Sequence, residues 1–185
     1  MHQDEMWQVY ALNGEPNPEE GWNSALDNPE KTGSDAIVGV AIVLLYRHCD
    51  DSKVEVLWQK RSDKVNRFPG EYDYSAGGHI NLGESLVGAA VREAREEIGV
   101  ELSANDLYFL TTRPLNKNRF AWIYLVDWTG KPDDFHFDDE EVAEVKWVPF
   151  EESDEFRVKY GKEPLKKDDI TFKVMRQWFI EHGDL

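Results

Sequence analysis

The chain has 185 residues, 41% of them hydrophobic and 31% charged, with 37 acidic residues against 21 basic ones and a net charge of -16. That size and balance suit one soluble domain with a full apolar core and exclude a disordered chain. The acidic excess argues against non-specific binding to nucleic acid or to an anionic membrane, but it leaves room for a phosphorylated substrate, because a bound metal reverses the local field.

In chain order, the opening MHQDEMWQ is polar and lacks a signal-peptide pattern. Met6 to Leu12 suits a short first strand, and Asn13 to Pro18 carries turn chemistry. Glu19 to Thr32 is polar, with room for one short helix. Residues 1–34 are expected to form an extension packed on a domain of residues 35–185, covering a sheet edge or making a homodimer contact. Ile37 to Tyr46 (IVGVAIVLLY) is β-branched and continuously apolar, which predicts a central strand buried on both faces. It is about half the length of a membrane-spanning helix. The single cysteine, Cys49, permits no internal disulfide and fits a reducing, cytoplasmic compartment.

Val54 to Gln59 alternates and predicts a hairpin partner. Phe68-Pro69-Gly70 breaks the chain before a short extended piece, Tyr72 to Ala76. A helix is expected from about Glu84 to Ile98, ending at Gly99. Strands follow at about Leu107 to Thr112 and Arg119 to Trp128. An acidic loop, Asp133 to Glu141, leads to a short strand near Val145 to Val148, and Pro149-Phe150-Glu151 opens a short helix. Asp169 to His182 has helical spacing at Ile170, Val174, Trp178 and Phe179. The mixture predicts an α+β fold.

The helix at Glu84 to Ile98 raises a physical problem. On a helical wheel Val87, Val91, Ala94 and Ile98 share one arc, predicting a buried face there, with Glu93, Glu96 and Glu97 on the far, exposed side. Glu93 and Glu97 are four apart, and such a like-charge pair costs roughly 0.2–0.5 kcal/mol. A solvated acidic face, partly neutralised by Arg92 and Arg95, is one explanation. Hard oxygen ligands for Mg²⁺ or Mn²⁺ are the other.

The spacing separates them. Gly78, five residues, Glu84, seven residues, then Arg92-Glu93-Ala94-Arg95-Glu96-Glu97-Ile98-Gly99-Val100 matches G-x5-E-x7-R-E-U-x-E-E-x-G-U, with U apolar, at every defined position. A chance match in a chain this long is roughly one in a million at average residue frequencies. The stretch resembles the Nudix box, and the looser resemblance runs over about residues 35 to 150. It implies a Nudix fold, an α/β/α sandwich around a mixed sheet. It implies an Mg²⁺- or Mn²⁺-dependent pyrophosphohydrolase acting on a small soluble diphosphate, often a nucleoside diphosphate linked to another group.

Position by position, the resemblance makes Glu96 and Glu97 metal ligands. Glu93 becomes a second metal ligand or the base, and Gly78 a carbonyl ligand. Arg92 orients the glutamates and Glu84 braces the loop or the helix. Which glutamate is the base stays open. A further acid from a later loop is expected, with Glu141 preferred over Glu144. For substrate contact, Arg61, Lys64 and Arg119 are the candidates, with Lys60, Arg113 and Lys117 behind them. Tyr72, Tyr74, Phe120 and Trp122 are candidate stacking residues, and Trp147 is assigned to the core.

WQKRSDKVNRFPGEYDYSAGGH also resembles the segment before the box in isopentenyl diphosphate isomerases, where His79 would be a metal ligand. Those enzymes need a cysteine where this chain has Gly77, and histidines near the first core strand, where Ser34 to Tyr46 has none. The isomerase and a non-catalytic Nudix module therefore stand as alternatives to the hydrolase. Cys49 shows no activating partner, and the five histidines show no zinc spacing.

Overall fold

The computed structural model describes residues 6–10, 15–23, 36–49, 53–131, 134–137, 140–166 and 170–185. Among them, nine strands join one mixed sheet. Its spine is β3 (Ile37–His48), buried along nearly all its length. The first two strands are β1 (Met6–Tyr10) and β2 (Pro16–Asn23), paired antiparallel. One edge of β3 runs parallel to β8 (Arg119–Asp127), from Val38 beside Arg119 to Tyr46 beside Asp127. The other edge is divided among three antiparallel partners. These are β1 at Ile37 and Val38, β6 (Ala76–His79) at Val40 to Val43, and β4 (Val54–Arg61) at Tyr46 to His48.

Beyond that short contact β4 leaves β3 and pairs with β5 (Tyr72–Asp73) and β9 (Val142–Pro149). Ser75 fills the fork. Its hydroxyl accepts from the Leu45 N–H at 2.9 Å and donates to the Leu57 carbonyl at 2.6 Å, satisfying backbone groups that the separating strands leave unpaired. β7 (Tyr108–Asn116) closes the far side against β8.

Helices cover both faces, which explains the unbroken apolar run in β3. Alternate residues Ala41, Val43 and Leu45 face α1 (Leu86–Ile98), with Ala89, Ala90, Ala94 and Ile98. Val40, Ile42, Leu44 and Tyr46 face the other layer, formed by α2 (Phe150–Tyr160), α3 (Glu163–Lys166) and α4 (Ile170–His182). The α+β class and the helix–sheet–helix layering are as expected.

Three local expectations change. Pro16–Asn23 is an edge strand, where a turn and then a short helix were expected; prolines are tolerated on an edge because no ladder donor is needed there. The rest of that expected helix lies outside the described residues. In α4 the inward residues are Phe172, Met175 and Phe179, while Ile170 is 48% exposed. Phe172 lies flat on Trp58, centroids 5.6 Å apart, and Trp178 instead caps the edge against Tyr46 and Tyr108.

Candidate active site

Helix α1 begins at Ser85, whose hydroxyl accepts from the Gly88 N–H at 3.0 Å, and ends at Gly99, in the left-handed region at φ 71°. Its buried residues are Ala89, Ala90, Glu93, Ala94, Glu97 and Ile98. The buried arc is thus rotated toward the glutamates relative to the wheel's expectation. Glu96 is exposed, but Glu93 and Glu97 point inward. Small residues explain the rotation. Alanines on α1 and glycines on β6 let helix and strand approach closely. A Cβ on Gly78 would lie 2.3 Å from Glu93 Oε1, so that carboxylate occupies the space a side chain would need.

Two neighbouring groups hold one oxygen of Glu97. Oε2 accepts from the Gly77 N–H at 2.7 Å and from the Gln59 amide at 3.0 Å. Its other oxygen makes no hydrogen bond among the described residues. Burial, then the charge of Glu93, then that of Asp73, push the Glu97 carboxyl up to about 8, against those two hydrogen bonds.

Arg92 binds the cluster together. Its Nε and Nη2 meet both oxygens of Glu84 at 2.9 and 3.0 Å. Its Nη1 donates to Glu93 at 2.7 Å and to Glu96 at 3.0 Å, and Nη2 also reaches the His79 carbonyl at 2.9 Å. Burial works against the charged guanidinium, but the bonds to Glu84, Glu93 and Glu96 outweigh it and hold it well above its ordinary value. Glu84 in turn accepts from the Asn81 N–H at 2.9 Å, which ties the loop to the helix start.

The end of β4 forms the opposite wall. Gln59 touches Glu97 and lies level with Asp73 of β5. Arg61 Nη1 is 3.9 Å from Asp73 Oδ2, and Lys162 donates to the same oxygen. Next along, the Ser62 N–H donates to the Glu141 carbonyl at 2.9 Å, and Lys64 pairs with Glu140 at 2.8 Å.

A comparison with known families matches residues 37–168 to the NUDIX domain. The chain belongs to the Nudix family. It is 35% identical over 129 residues to Nudix hydrolase 3 of Arabidopsis thaliana, an alignment covering 64% of this chain and 16% of the relative. It is 32% identical over 106 residues to the uncharacterized Nudix hydrolase YfcD of Escherichia coli, covering 55% of this chain and 56% of that one. The chain therefore spans only part of these relatives. Among solved structures, DR0079 of Deinococcus radiodurans superposes with a TM-score of 0.59 at 21% identity, covering 93% and 98% of the two chains. The Nudix domain of Shewanella oneidensis NrtR, solved with ADP ribose, gives 0.60 at 19% identity, covering 84% and 95%. These two likenesses speak for the fold.

The Nudix box residues Gly78, Glu84, Arg92, Glu93, Glu96 and Glu97 thus stand together, with Arg61 and Glu141 brought by β4 and β9 to the facing wall. Lys64 sits beside that wall, paired with an acid. Arg119 starts β8, level with Val38, and its charge acts on His79. The His79 ring stacks on Trp7, centroids 3.6 Å apart. Burial, then Arg119, Arg67 and Arg92, push that imidazole down to about 3, so it is neutral. Tyr74 is core, and the Tyr72 hydroxyl donates to Glu144 at 2.9 Å. Burial and then Glu55 push the Cys49 thiol up, the reverse of an activated nucleophile.

The donor set suits a hard divalent cation: inward carboxylates, the carbonyl at Gly78, and Gln59 Oε1, which is buried without a partner. A carboxyl pushed up by a like charge is relieved by a cation. Among the described residues no three acidic or histidine groups already converge as metal ligands; Arg92 draws Glu93 and Glu96 to itself. Gln59, Asp73 and Lys162 are additions to the sequence reading. A buried polar residue where VEVLWQ should stay apolar, and an acid between Tyr72 and Tyr74, were the available signals.

Proposed function

We propose that this protein is a divalent-metal-dependent pyrophosphohydrolase that cleaves a diphosphate linkage in a small soluble substrate by water attack at phosphorus. The observation that carries this reading is the inward pair Glu93 and Glu97 against the side-chain-free strand at Gly77 and Gly78. A like-charge pair held at a sheet surface costs stability and invites a cation. Glu93, Glu96, Glu97, the Gly78 carbonyl and Glu141 would hold Mg²⁺ or Mn²⁺. When bound, that ion neutralises charge on the phosphoryl oxygens.

The chain's own groups do the remainder. Arg92 fixes the rotamers of Glu93 and Glu96 through paired hydrogen bonds, and Glu84 fixes Arg92. Glu93 or Glu97 takes the proton from water, each held beside the strand at Gly77 and Gly78. Arg61, Lys64 and Arg119 supply positive charge to the substrate.

Isomerase chemistry fits less well. A Cβ at position 77 would lie 2.8 Å from the Ala41 carbonyl, so the cysteine that such enzymes need has no room here. Among the described residues, no helix is long and apolar enough to cross a membrane.

The deciding experiment is a phosphate- and pyrophosphate-release screen with Mg²⁺ and Mn²⁺. The panel holds nucleotide sugars, ADP-ribose, nucleoside triphosphates, dinucleoside polyphosphates and prenyl diphosphates. Metal-dependent release from one class is expected. Silence from folded, metal-binding protein would overturn the hydrolase in favour of the isomerase or a binding module.

A further inference from the structure

Two cations stand beside the carboxylates with donors still unused. Lys162 lies between α2 and α3. Its backbone N–H donates to the Tyr72 carbonyl at 2.9 Å, and Gly161 forms a parallel bridge to Tyr72, so this link is fastened to β5. Its ammonium donates to Asp73 Oδ2 and to nothing else among the described residues, leaving two of its three N–H groups without a protein partner. Arg61 comes from β4. Its Nε donates to the Arg67 carbonyl at 3.0 Å, and its Nη1 lies 3.9 Å from the same Asp73 oxygen. Neither Nη group makes a hydrogen bond among the described residues.

Asp73 itself is only 7% exposed. Its other oxygen accepts from the Tyr74 N–H at 2.8 Å. One buried carboxylate therefore holds two cations from distant segments, and both remain reachable, with side-chain exposures of 21% for Arg61 and 24% for Lys162.

The placement matters more than the pairing. Asp73 is level with Gln59, whose amide touches Glu97, and its charge acts on Glu97 directly. The two cations thus stand one strand away from the carboxylate cluster. Two cations sharing the one carboxylate of Asp73 leave a net positive charge on this trio, in a chain whose net charge is -16. Converging N–H donors with fixed geometry are what phosphoryl oxygens need.

We propose that Lys162 and Arg61, bridged by Asp73, form the subsite that grips the anionic diphosphate of the substrate. Asp73 is a positioning residue: it aims both cations without touching the ligand. The proposal rests on the hydrolase reading above and adds to it a group from the helical layer. The competing explanation is a clamp that merely fastens the α2–α3 link to β5.

The test compares Lys162→Gln and Lys162→Arg for KM and kcat on the substrate found by the release screen. It adds inorganic pyrophosphate as competitive inhibitor, with thermal melts in parallel. In Lys162→Gln, KM and the pyrophosphate inhibition constant should rise about tenfold or more, as loss of a charge-assisted bond implies, with kcat within about threefold of wild type. Lys162→Arg should restore most of the affinity. Unchanged KM and inhibition with a lowered melting temperature would overturn the proposal in favour of the clamp.

If Lys162→Gln alone does not fold, the double variant Asp73→Asn/Lys162→Gln removes the buried charge together with its partner. It should fold and show the same weakened pyrophosphate inhibition; wild-type inhibition in it would overturn the subsite. If the wild-type protein releases phosphate from nothing, the hydrolase reading fails alone. Calorimetric titration of pyrophosphate then decides the subsite by itself: weaker binding in Lys162→Gln supports it, and equal binding sinks it.

Discussion

The layer of β3 under α2 to α4 is packed by Trp58, Phe150, Phe156, Phe172 and Phe179, whereas the other layer, though it too has aromatic residues such as Tyr10 and Tyr124, places small residues, Ala41, Ala76, Ala89, Ala90 and Ala94, at and around the α1 contact. The two layers meet different needs. Large rings fill the space between a sheet and helices that need only cover it. Small side chains bring the α1 backbone so near to β6 that carboxylates four residues apart reach the strand's backbone. One layer supplies stability. The other accepts like charges at close range and holds them with Arg92, Gln59 and the Gly77 N–H.

That contrast can be broken from either side. On the α1 side, Glu97→Gln should lower kcat by about a thousandfold or more while the protein stays folded, since it removes one candidate ligand and base without changing shape. Stopped turnover with an intact melting curve is the expected pair of results; wild-type turnover would refute the role given to Glu97. On the aromatic side, Phe179→Ala should cost about 3–5 kcal/mol in urea unfolding but leave kcat per folded molecule near wild type. Loss of activity beyond the unfolded fraction would mean that the two layers are coupled.

Gly78→Ala should lower activity by about ten- to a hundredfold with only a small loss of stability, because the new Cβ displaces Glu93 rather than a core ring. A large drop in melting temperature with normal turnover would place Gly78 in the packing instead of the chemistry.

The smallest effect concerns pH. The Glu97 carboxyl is raised in the folded state to about 8, above its unfolded value, so the folded protein holds that proton more tightly. Its contribution is fully present below the unfolded value, near 4.5, and is lost as pH rises through about 8. In chelator, the melting temperature of the wild type should therefore fall between about pH 4.5 and 8 by a few degrees more than that of Glu97→Gln. Added Mg²⁺ should shrink the difference. Parallel curves for the two proteins would contradict the raised carboxyl.

The sequence carried the box because its chemistry is written in fixed spacing along one helix and its preceding loop. The end of α1 was legible in Gly99, and β3 in its β-branched run, while the Ser85 cap at the start of α1 came only with the structure. The rotation of α1 was not, because a wheel assigns Glu to water by default, and only the approach of Gly77 and Gly78 turns Glu93 and Glu97 inward. Strand β2 was hidden by Pro16, Asn17 and Pro18, which read as turn residues but suit an edge. The link from Lys162 to Asp73 joins positions 89 residues apart, and no local pattern encodes a contact set by strand register and a helical crossover. The family match settles the fold around these residues; their individual duties rest on the variants above.

Strand β3 has a consequence for how the chain reaches this state. Its parallel ladder with β8 joins residues about 80 positions apart. During synthesis the β8 edge of β3 stays open until β8 has emerged, although β4, β6 and α1 precede it in the chain. Refolding from denaturant should be slow for a chain of this size, limited by that one encounter. Protection of β3 and β8 amides from hydrogen exchange should then appear together and late.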